Sequence, residues 1–186
     1  MKKLNVLVVL FALFLAACSH KSYTVDAVGN ANANPAEAST YGFASQVDNK
    51  LDEGLFFLND LILKAEIRDA VKHEMDSRGY TYTSSQPDLI VNFRVFDRPA
   101  EIQSVDQLGN NYWAAGEING YTNPETVRLQ EGSVMVNLVD RKTGKLVWQG
   151  YASGLMDGNV FTKEGNKIDE AVSLVFDKFN YRADNL

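Results

Sequence analysis

The sequence predicts an α+β domain in which two helices pack on one face of a mainly antiparallel sheet of about five strands. Three observations support this fold class. A β-hairpin is predicted over 132–151, an alternating strand over 88–96, and two amphipathic helices over residues that precede and follow these strands. The predicted order of elements is β-α-β-β-β-β-α.

The first seventeen residues have the organisation of a signal peptide. Residues 1–3 are positively charged, residues 4–15 are apolar, and small residues precede Cys18. The order Leu-Ala-Ala-Cys at this point resembles the lipobox of bacterial lipoproteins. That resemblance implies cleavage between Ala17 and Cys18 and acylation of the Cys18 sulfur.

Two alternatives exist for this segment. An uncleaved membrane span is disfavoured because the fourteen residues from Leu4 to Ala17 fall short of the ~20 that cross a bilayer. An ordinary signal peptide would make the cysteine incidental. We expect two or three acyl chains on Cys18 to anchor the protein, since each buried CH₂ contributes about 0.8 kcal/mol. Ser19 then predicts an outer-membrane lipoprotein facing the periplasm, by resemblance to lipoproteins of enteric-type bacteria.

Residues 18–39 are rich in Asn, Ala, Gly and Ser, a composition that is too small and polar to bury a core. We therefore expect the lipidated cysteine to be followed by a flexible tether, and a single domain to occupy residues 40–182. The alternative is a short strand formed by Tyr23, Val25 and Val28.

The predicted domain begins with a short strand at Thr40–Phe43. A helix follows from Asn59-Asp60 to Arg78, and Gly79 is suited to end it in a left-handed conformation. The predicted core-facing stripe of this helix is Ile67, Ala70, Val71 and Met75.

Three further strands follow. A short one is predicted at Tyr80–Thr83 and a strong one at Asp88–Phe96, which should lie beside the hairpin. In the hairpin, the first strand is apolar on both faces except at Asn137, and Asp140 and Gly144 supply the chemistry of the turn. A second helix then buries the stripe Ile168, Ala171, Val172, Val175 and Phe179.

Several short motifs occur in a fixed order along the predicted domain. They are Thr40–Phe43, Arg78-Gly79-Tyr80, Pro87-Asp88-Leu89, Glu131-Gly132, Leu138–Asp140 and Thr143–Gly150. In this order, they resemble a family of bacterial envelope lipoproteins that share a domain of unknown function, DUF4136. The resemblance covers roughly residues 40–179 and implies no established catalytic residues. The family usually follows its last helix with Phe-Pro, whereas Phe179 is followed here by Asn180.

Composition excludes several classes of function. The 186 residues are 45% hydrophobic and 11% aromatic, which suffices for a folded core. Loss of Lys2 and Lys3 with the signal peptide leaves 16 basic against 24 acidic residues, a balance of −8, which disfavours nucleic acid. A single cysteine forms no internal disulfide and builds no thiolate zinc site. We expect no metal and no cofactor.

Few residues suggest catalysis. His20 lies in the predicted tether, and His73 lies four residues after Asp69, a spacing typical of a surface ion pair. A cell-wall hydrolase would need two carboxylates about 5 to 10 Å apart in a cleft. The candidates are Asp88, Asp140 and Asp157, although the first two are also suited to turns.

The segment 97–126 is longer than the ~12 to 15 residues usual for a loop without a function. It carries Tyr112, Trp113 and Tyr121, which are candidate contacts for peptidoglycan glycan or for a protein. The alternative is that these aromatic residues pack back onto the sheet, or that strand pairing extends the flanking ribbon. We therefore expect a non-enzymatic envelope-binding module, anchored through Cys18, whose partner is a protein or peptidoglycan. A hydrolase is the alternative.

Overall fold

The computed structural model describes residues 23–30, 33–44, 61–96, 98–103, 126–155 and 165–183. A short 3-10 helix, Pro35–Glu37, lies between the first two strands. The α+β class predicted from the sequence is confirmed. The elements are β1 Thr24–Gly29, β2 Thr40–Phe43, α1 Leu61–Ser77, β3 Thr81–Tyr82, β4 Leu89–Phe96, β5 Ala100–Gln103, β6 Thr126–Leu129, β7 Ser133–Asp140, β8 Leu146–Ser153 and α2 Gly165–Phe176.

The main sheet has the order β1-β8-β7-β4-β2-β3, and β5 and β6 form a separate two-stranded ribbon. Three of its neighbouring pairs are antiparallel, but β2 runs parallel to both β3 and β4. The sheet is therefore mixed and has one strand more than expected. The parallel pairs follow from connectivity, because α1 lies between β2 and its two partners and a helical crossover lets the chain return in parallel.

The segment before β2 differs from the prediction. We expected a flexible tether over 18–39, but β1 forms one edge of the sheet and pairs with β8 along its whole length. The alternative of a short strand is the one observed. Val25 and Ala27 pack against the core, which offsets the entropy lost by ordering this polar stretch. The Tyr80 hydroxyl also donates a 3.0 Å hydrogen bond to the Pro35 carbonyl, which holds the 3-10 helix.

Both helices contribute to the core on one face of the sheet, as predicted. Trp148 of β8 lies against Phe176 and Phe179 of the C-terminal region, with ring centroids 5.7 and 5.0 Å apart. Gly150 leaves room for this indole, since a Cβ there would lie 2.4 Å from Trp148 Cη2. The predicted stripes are buried as expected: Ile67, Ala70, Val71 and Met75 from α1, and Ile168, Ala171, Val172 and Val175 from α2.

The opposite face of the same strands is also buried, but its polarity is mixed. Arg94 is 6% exposed, Asn137 0% and Gln149 4%. Gln149 Nε2 donates a 2.8 Å hydrogen bond to Asn137 Oδ1. Asn137 Nδ2 has no hydrogen-bond partner within the described part of the chain. This face therefore buries both apolar side chains and a hydrogen-bonded pair of side-chain amides.

The C-terminal ends of the two helices are joined by Arg78. Its guanidinium forms an ion pair with Glu74 of α1 and donates a 2.8 Å hydrogen bond to the Phe176 carbonyl of α2. Gly79 follows with a φ of 87°, a left-handed conformation that ends α1 as predicted. The Arg-Gly pair thus ends one helix and ties it to the other.

Candidate functional site

The predicted lipidation and cleavage residues, Cys18 and Ala17, lie outside the described residues. The described chain begins at Tyr23, and β1 begins one residue later. Four residues separate Cys18 from Tyr23, so any lipid on that cysteine would be attached close to the start of β1. In the part of the chain that the structure describes, no helix has the length and apolar character to cross a bilayer.

The ribbon of β5 and β6 forms the base of the predicted long loop. Gln103, the last residue of β5, pairs with Thr126, the first residue of β6. The two residues that flank the segment 104–125 are therefore neighbours. Strand pairing thus occupies both ends of this region. The candidate contact residues Tyr112, Trp113 and Tyr121 lie outside the described residues.

The ribbon is attached to the main sheet by packing and by hydrogen bonds. Leu129 is 2% exposed and packs in a small cluster with Met135 and Tyr151 of the sheet. The Gln130 amide donates a 2.9 Å hydrogen bond to Ser153 Oγ. These contacts define one end of the sheet, which we call the ribbon end, where β4 and β8 end and β7 begins.

A cleft of about 540 Å³ lies at the other end of the sheet. Its walls are the β7–β8 turn, the connection between β1 and β2, and the start of β4. We call it the hairpin cleft. Its polar and charged lining includes Asn34, Glu37, Asp88, Asp140, Lys142 and Lys145, and its apolar lining includes Pro35, Leu89 and Val147.

Asp88 fixes the start of β2 to the start of β4. One carboxylate oxygen, Oδ2, accepts hydrogen bonds from the Ser39 amide at 3.1 Å, the Thr40 amide at 3.1 Å and Thr40 Oγ1 at 2.8 Å. Partial burial by itself raises the pKa of Asp88, but these hydrogen bonds and the charge of nearby Lys142 outweigh burial. The net effect is a pKa of Asp88 below its ordinary value.

Asp140 fixes the hairpin turn. Its Oδ1 accepts hydrogen bonds from the Thr143 amide at 2.7 Å and from Thr143 Oγ1 at 2.6 Å. Gly144 has a φ of 67°, the left-handed conformation predicted for it. The Arg141 amide donates a 2.9 Å hydrogen bond to the Asp88 carbonyl, so the turn is also tied to β4. The walls of the cleft are therefore held by hydrogen bonds between all three segments.

The structure brings two of the three candidate catalytic carboxylates together. Asp88 and Asp140 line the same cleft, whereas Asp157 lies outside the described residues. Each of the two already accepts hydrogen bonds from backbone amides: Asp88 from those of Ser39 and Thr40 before and at the start of β2, and Asp140 from that of Thr143 in its own turn. Their shared position meets one condition for paired carboxylate chemistry, and the lowered pKa of Asp88 opposes its use as a proton donor.

Lys142 and Lys145 are the cations of the hairpin cleft. Both are exposed at the turn, and neither ammonium makes a hydrogen bond or ion pair with any described residue. Across the cleft, Glu37 accepts only a long 3.4 Å hydrogen bond from Asn34 Nδ2. The rim of the cleft therefore presents charges of both signs, and that of Lys142 also helps to lower the pKa of Asp88.

His73 lies in a second, more open groove between α1 and α2, which has a volume of about 590 Å³. The groove is also lined by Asp69, Glu74, Asp169 and Glu170. The expected ion pair between His73 and Asp69 is not present among the described residues. In these ranges, no group of three or more His, Cys, Asp or Glu side chains is arranged to hold a metal ion. His20 lies outside the described residues.

Sequence patterns could not identify the hairpin cleft. Asn34 and Glu37 fall in the segment expected to be a tether, and Lys142 and Lys145 are ordinary residues for an exposed turn. The only local signals were the turn residues Asp140 and Gly144, which indicate a hairpin and not a binding site.

Comparisons with known proteins agree with this fold. A family model described as a domain of unknown function, DUF4136, matches residues 25–180. Among curated proteins, the search finds no match. A crystal structure of a DUF4136 family protein from Bacteroides thetaiotaomicron is 18% identical, with a TM-score of 0.57, and the match covers 87% of this chain and 97% of that chain.

Two other solved structures are similar. A PDZ domain protein from Parabacteroides distasonis is 13% identical, with a TM-score of 0.50, over 92% of this chain and 39% of that chain. A PelC dodecamer from Paraburkholderia phytofirmans is 10% identical, with a TM-score of 0.48, over 87% of this chain and 99% of that chain. At these identities, what the first structure and the PDZ domain protein share with this chain is the fold.

Proposed function

The chain belongs to the DUF4136 family, and on that premise we propose that it is an outer-membrane lipoprotein facing the periplasm. In this proposal, acyl chains on Cys18 hold the domain on the membrane, and the domain binds another envelope component, a protein or peptidoglycan, without catalysing a reaction. The observation that carries the proposal is the order Leu-Ala-Ala-Cys at the end of an apolar leader, followed within a few residues by the first strand of the domain.

The position of β1 alters how the anchor would work. The tether expected from the composition would have lifted the domain off the membrane, but β1 begins six residues after Cys18. A fully extended chain reaches at most ~3.6 Å per residue, so the start of β1 would lie within about 20 Å of the lipidated sulfur. The domain would therefore be held next to the bilayer surface.

The binding role is supported by the sequence between the two strands of the ribbon, which carries Tyr112, Trp113 and Tyr121. Gln103 and Thr126, the residues that flank this segment, pair with each other. Aromatic side chains supply large contact areas at interfaces. A catalytic role finds less support, since Asp88 and Asp140 are engaged in structural hydrogen bonds.

The anchor is tested by metabolic labelling with a palmitate analogue. We expect label in the wild-type protein and none in Cys18→Ser, which should also leave the membrane fraction. Label in Cys18→Ser would overturn the lipid assignment. Binding is tested by crosslinked pull-down of wild type and Trp113→Ala from membranes. An unchanged partner list would remove the aromatic segment from the proposal.

The hydrolase alternative is retained because Asp88 and Asp140 line one cleft. It requires one carboxyl group that holds a proton near neutral pH and one that does not. The lowered pKa of Asp88 makes it unsuited to the first task. The test is release of soluble fragments from purified peptidoglycan. Release that is abolished in both Asp88→Asn and Asp140→Asn would establish the hydrolase and overturn the non-catalytic role.

A further inference from the structure

The direction of β1 places the hairpin cleft away from the proposed anchor. Thr24, at the start of β1, pairs with Ser153 at the ribbon end, and Gly29, at its end, pairs with Trp148. The Asn30 amide continues this pairing to the Val147 carbonyl at 3.0 Å, at the border of the cleft. A six-residue strand is about 20 Å long. If Cys18 is the anchor, the ribbon end lies nearer the bilayer and the cleft lies at the remote end of the sheet.

The walls of the hairpin cleft are joined by hydrogen bonds, and charged side chains lie at its rim. Asp88 and Asp140 hold its walls through hydrogen bonds with neighbouring backbone amides. Lys142 and Lys145 make no hydrogen bond or ion pair with the described residues, in contrast with Lys72 of α1, which forms an ion pair with Asp76. Two cations held on a fixed turn are suited to bind carboxylates.

The remaining lining defines the rest of the ligand. Apolar residues also line the cleft, among them the small Ala38 and the buried Pro35. Glu37, on the connection between β1 and β2, makes only one long hydrogen bond and is available to an amine. A complementary ligand has carboxylates that reach the lysines, an amine that reaches Glu37 and a short aliphatic part.

We propose that the hairpin cleft binds the short peptide of peptidoglycan, with its carboxylates on Lys142 and Lys145 and its amine beside Glu37. This peptide combines an alanine methyl group, free carboxylates and a diamino acid whose methylene chain ends in a carbon that bears both an amine and a carboxylate. The inference rests on the proposed function, because the anchor is what directs the cleft away from the membrane and toward the cell wall. It names the envelope component that the proposed function leaves open.

The test is calorimetric titration of the full-length protein in detergent with the soluble tripeptide L-Ala-γ-D-Glu-meso-diaminopimelate. We expect the double variant Lys142→Gln/Lys145→Gln to bind at least about tenfold more weakly, because hydrogen bonds to charged groups are lost. Lys72→Gln, an exposed lysine outside the cleft, is the matched control and should bind like wild type. Amidation of the tripeptide carboxylates should weaken binding to a similar extent. Circular dichroism establishes that each variant is folded.

Several outcomes would overturn the inference: no binding by wild type, equal binding by the double variant, or equal binding of the amidated tripeptide. Capture of a protein whose binding depends on the two lysines, with no binding of the tripeptide, would overturn it as well. Labelling of Cys18 in the same preparations separates the two proposals. Failure of tripeptide binding with Cys18 labelled rejects the cleft assignment alone, whereas lysine-dependent binding without label rejects the anchor alone.

Discussion

The two faces of the central sheet are both buried, but by different chemistry. On the helix-covered face, apolar side chains and the Trp148 ring fill the space between sheet and helices. On the opposite face, Asn137, Gln149 and Arg94 are buried beside Met135. The stability of the first face depends on how well the shapes and volumes of its side chains fit together. The stability of the second also depends on whether its buried polar groups find hydrogen-bond partners. Neighbouring residues of one strand therefore tolerate different substitutions.

The largest effect is expected from Trp148→Ala on the helix-covered face. Removal of this buried ring from its contacts with Phe176 and Phe179 should lower the free energy of unfolding by about 3–5 kcal/mol. Urea unfolding followed by circular dichroism measures it. A cost below about 1 kcal/mol, typical of surface changes, would contradict the importance of shape on this face.

Gly150 supplies the control for this prediction. Gly150→Ala would place a Cβ 2.4 Å from Trp148 Cη2 and 2.9 Å from Val175 Cγ1, so it should destabilise the wild type by roughly 1–3 kcal/mol. In the Trp148→Ala background the closest clash is gone, and the added cost should be smaller. If the free-energy costs of the two single substitutions simply add in the double variant, the two sites do not interact, which would contradict the packing of the indole against Gly150.

A smaller effect, with a different signature, is expected on the opposite face. Asn137→Leu removes the acceptor of the Gln149 amide and leaves that buried group unpaired, at a cost of about 1–3 kcal/mol. The double variant Asn137→Leu/Gln149→Leu removes both polar partners and should recover most of this loss. The free energies of unfolding of the single and double variants measure the recovery. A double variant that is less stable than Asn137→Leu would contradict the explanation that the unpaired Gln149 amide causes the loss of stability.

The smallest effect concerns Asp88, the residue that directly precedes β4. Its folded pKa is below the unfolded value of about 3.9, so its contribution to stability is present above that value and is lost as pH falls through the folded pKa. Between about pH 5 and pH 2, Asp88→Asn should therefore lose less stability than wild type. Urea midpoints across this range measure the difference. Identical pH profiles for the two proteins would contradict the role of the hydrogen bonds to Ser39 and Thr40.

Much of the fold could be predicted because its signals are local. The left-handed Gly79 and Gly144 and the buried stripes of α1 and α2 follow from residue type and spacing within a few turns of chain. The family could also be identified from ordered short motifs, and the match over residues 25–180 confirms it.

The features that were expected only as an alternative, or not at all, depend on distant partners. In β1, Val25 and Val28 fall on opposite faces, so the segment lacks the regular alternation that indicates a strand, and its pairing with β8 joins residues more than 100 positions apart. The hairpin cleft depends on the same contact, since Glu37 and Lys145 come together only when β1 is in place. Asn137 interrupts an apolar run in the sequence, but its partner Gln149 follows only from the register of β7 and β8.

The antiparallel pairing of β1 with β8 also has a mechanical consequence for a protein held at its N-terminus. Tension applied at Tyr23 acts along the axis of β1, so the bonds of the whole ladder are loaded together instead of opening one after another. An attachment through an edge strand in this orientation resists shear. On the proposal that Cys18 anchors the chain and the hairpin cleft binds the cell wall, this orientation would let the domain bear load between the membrane and the wall.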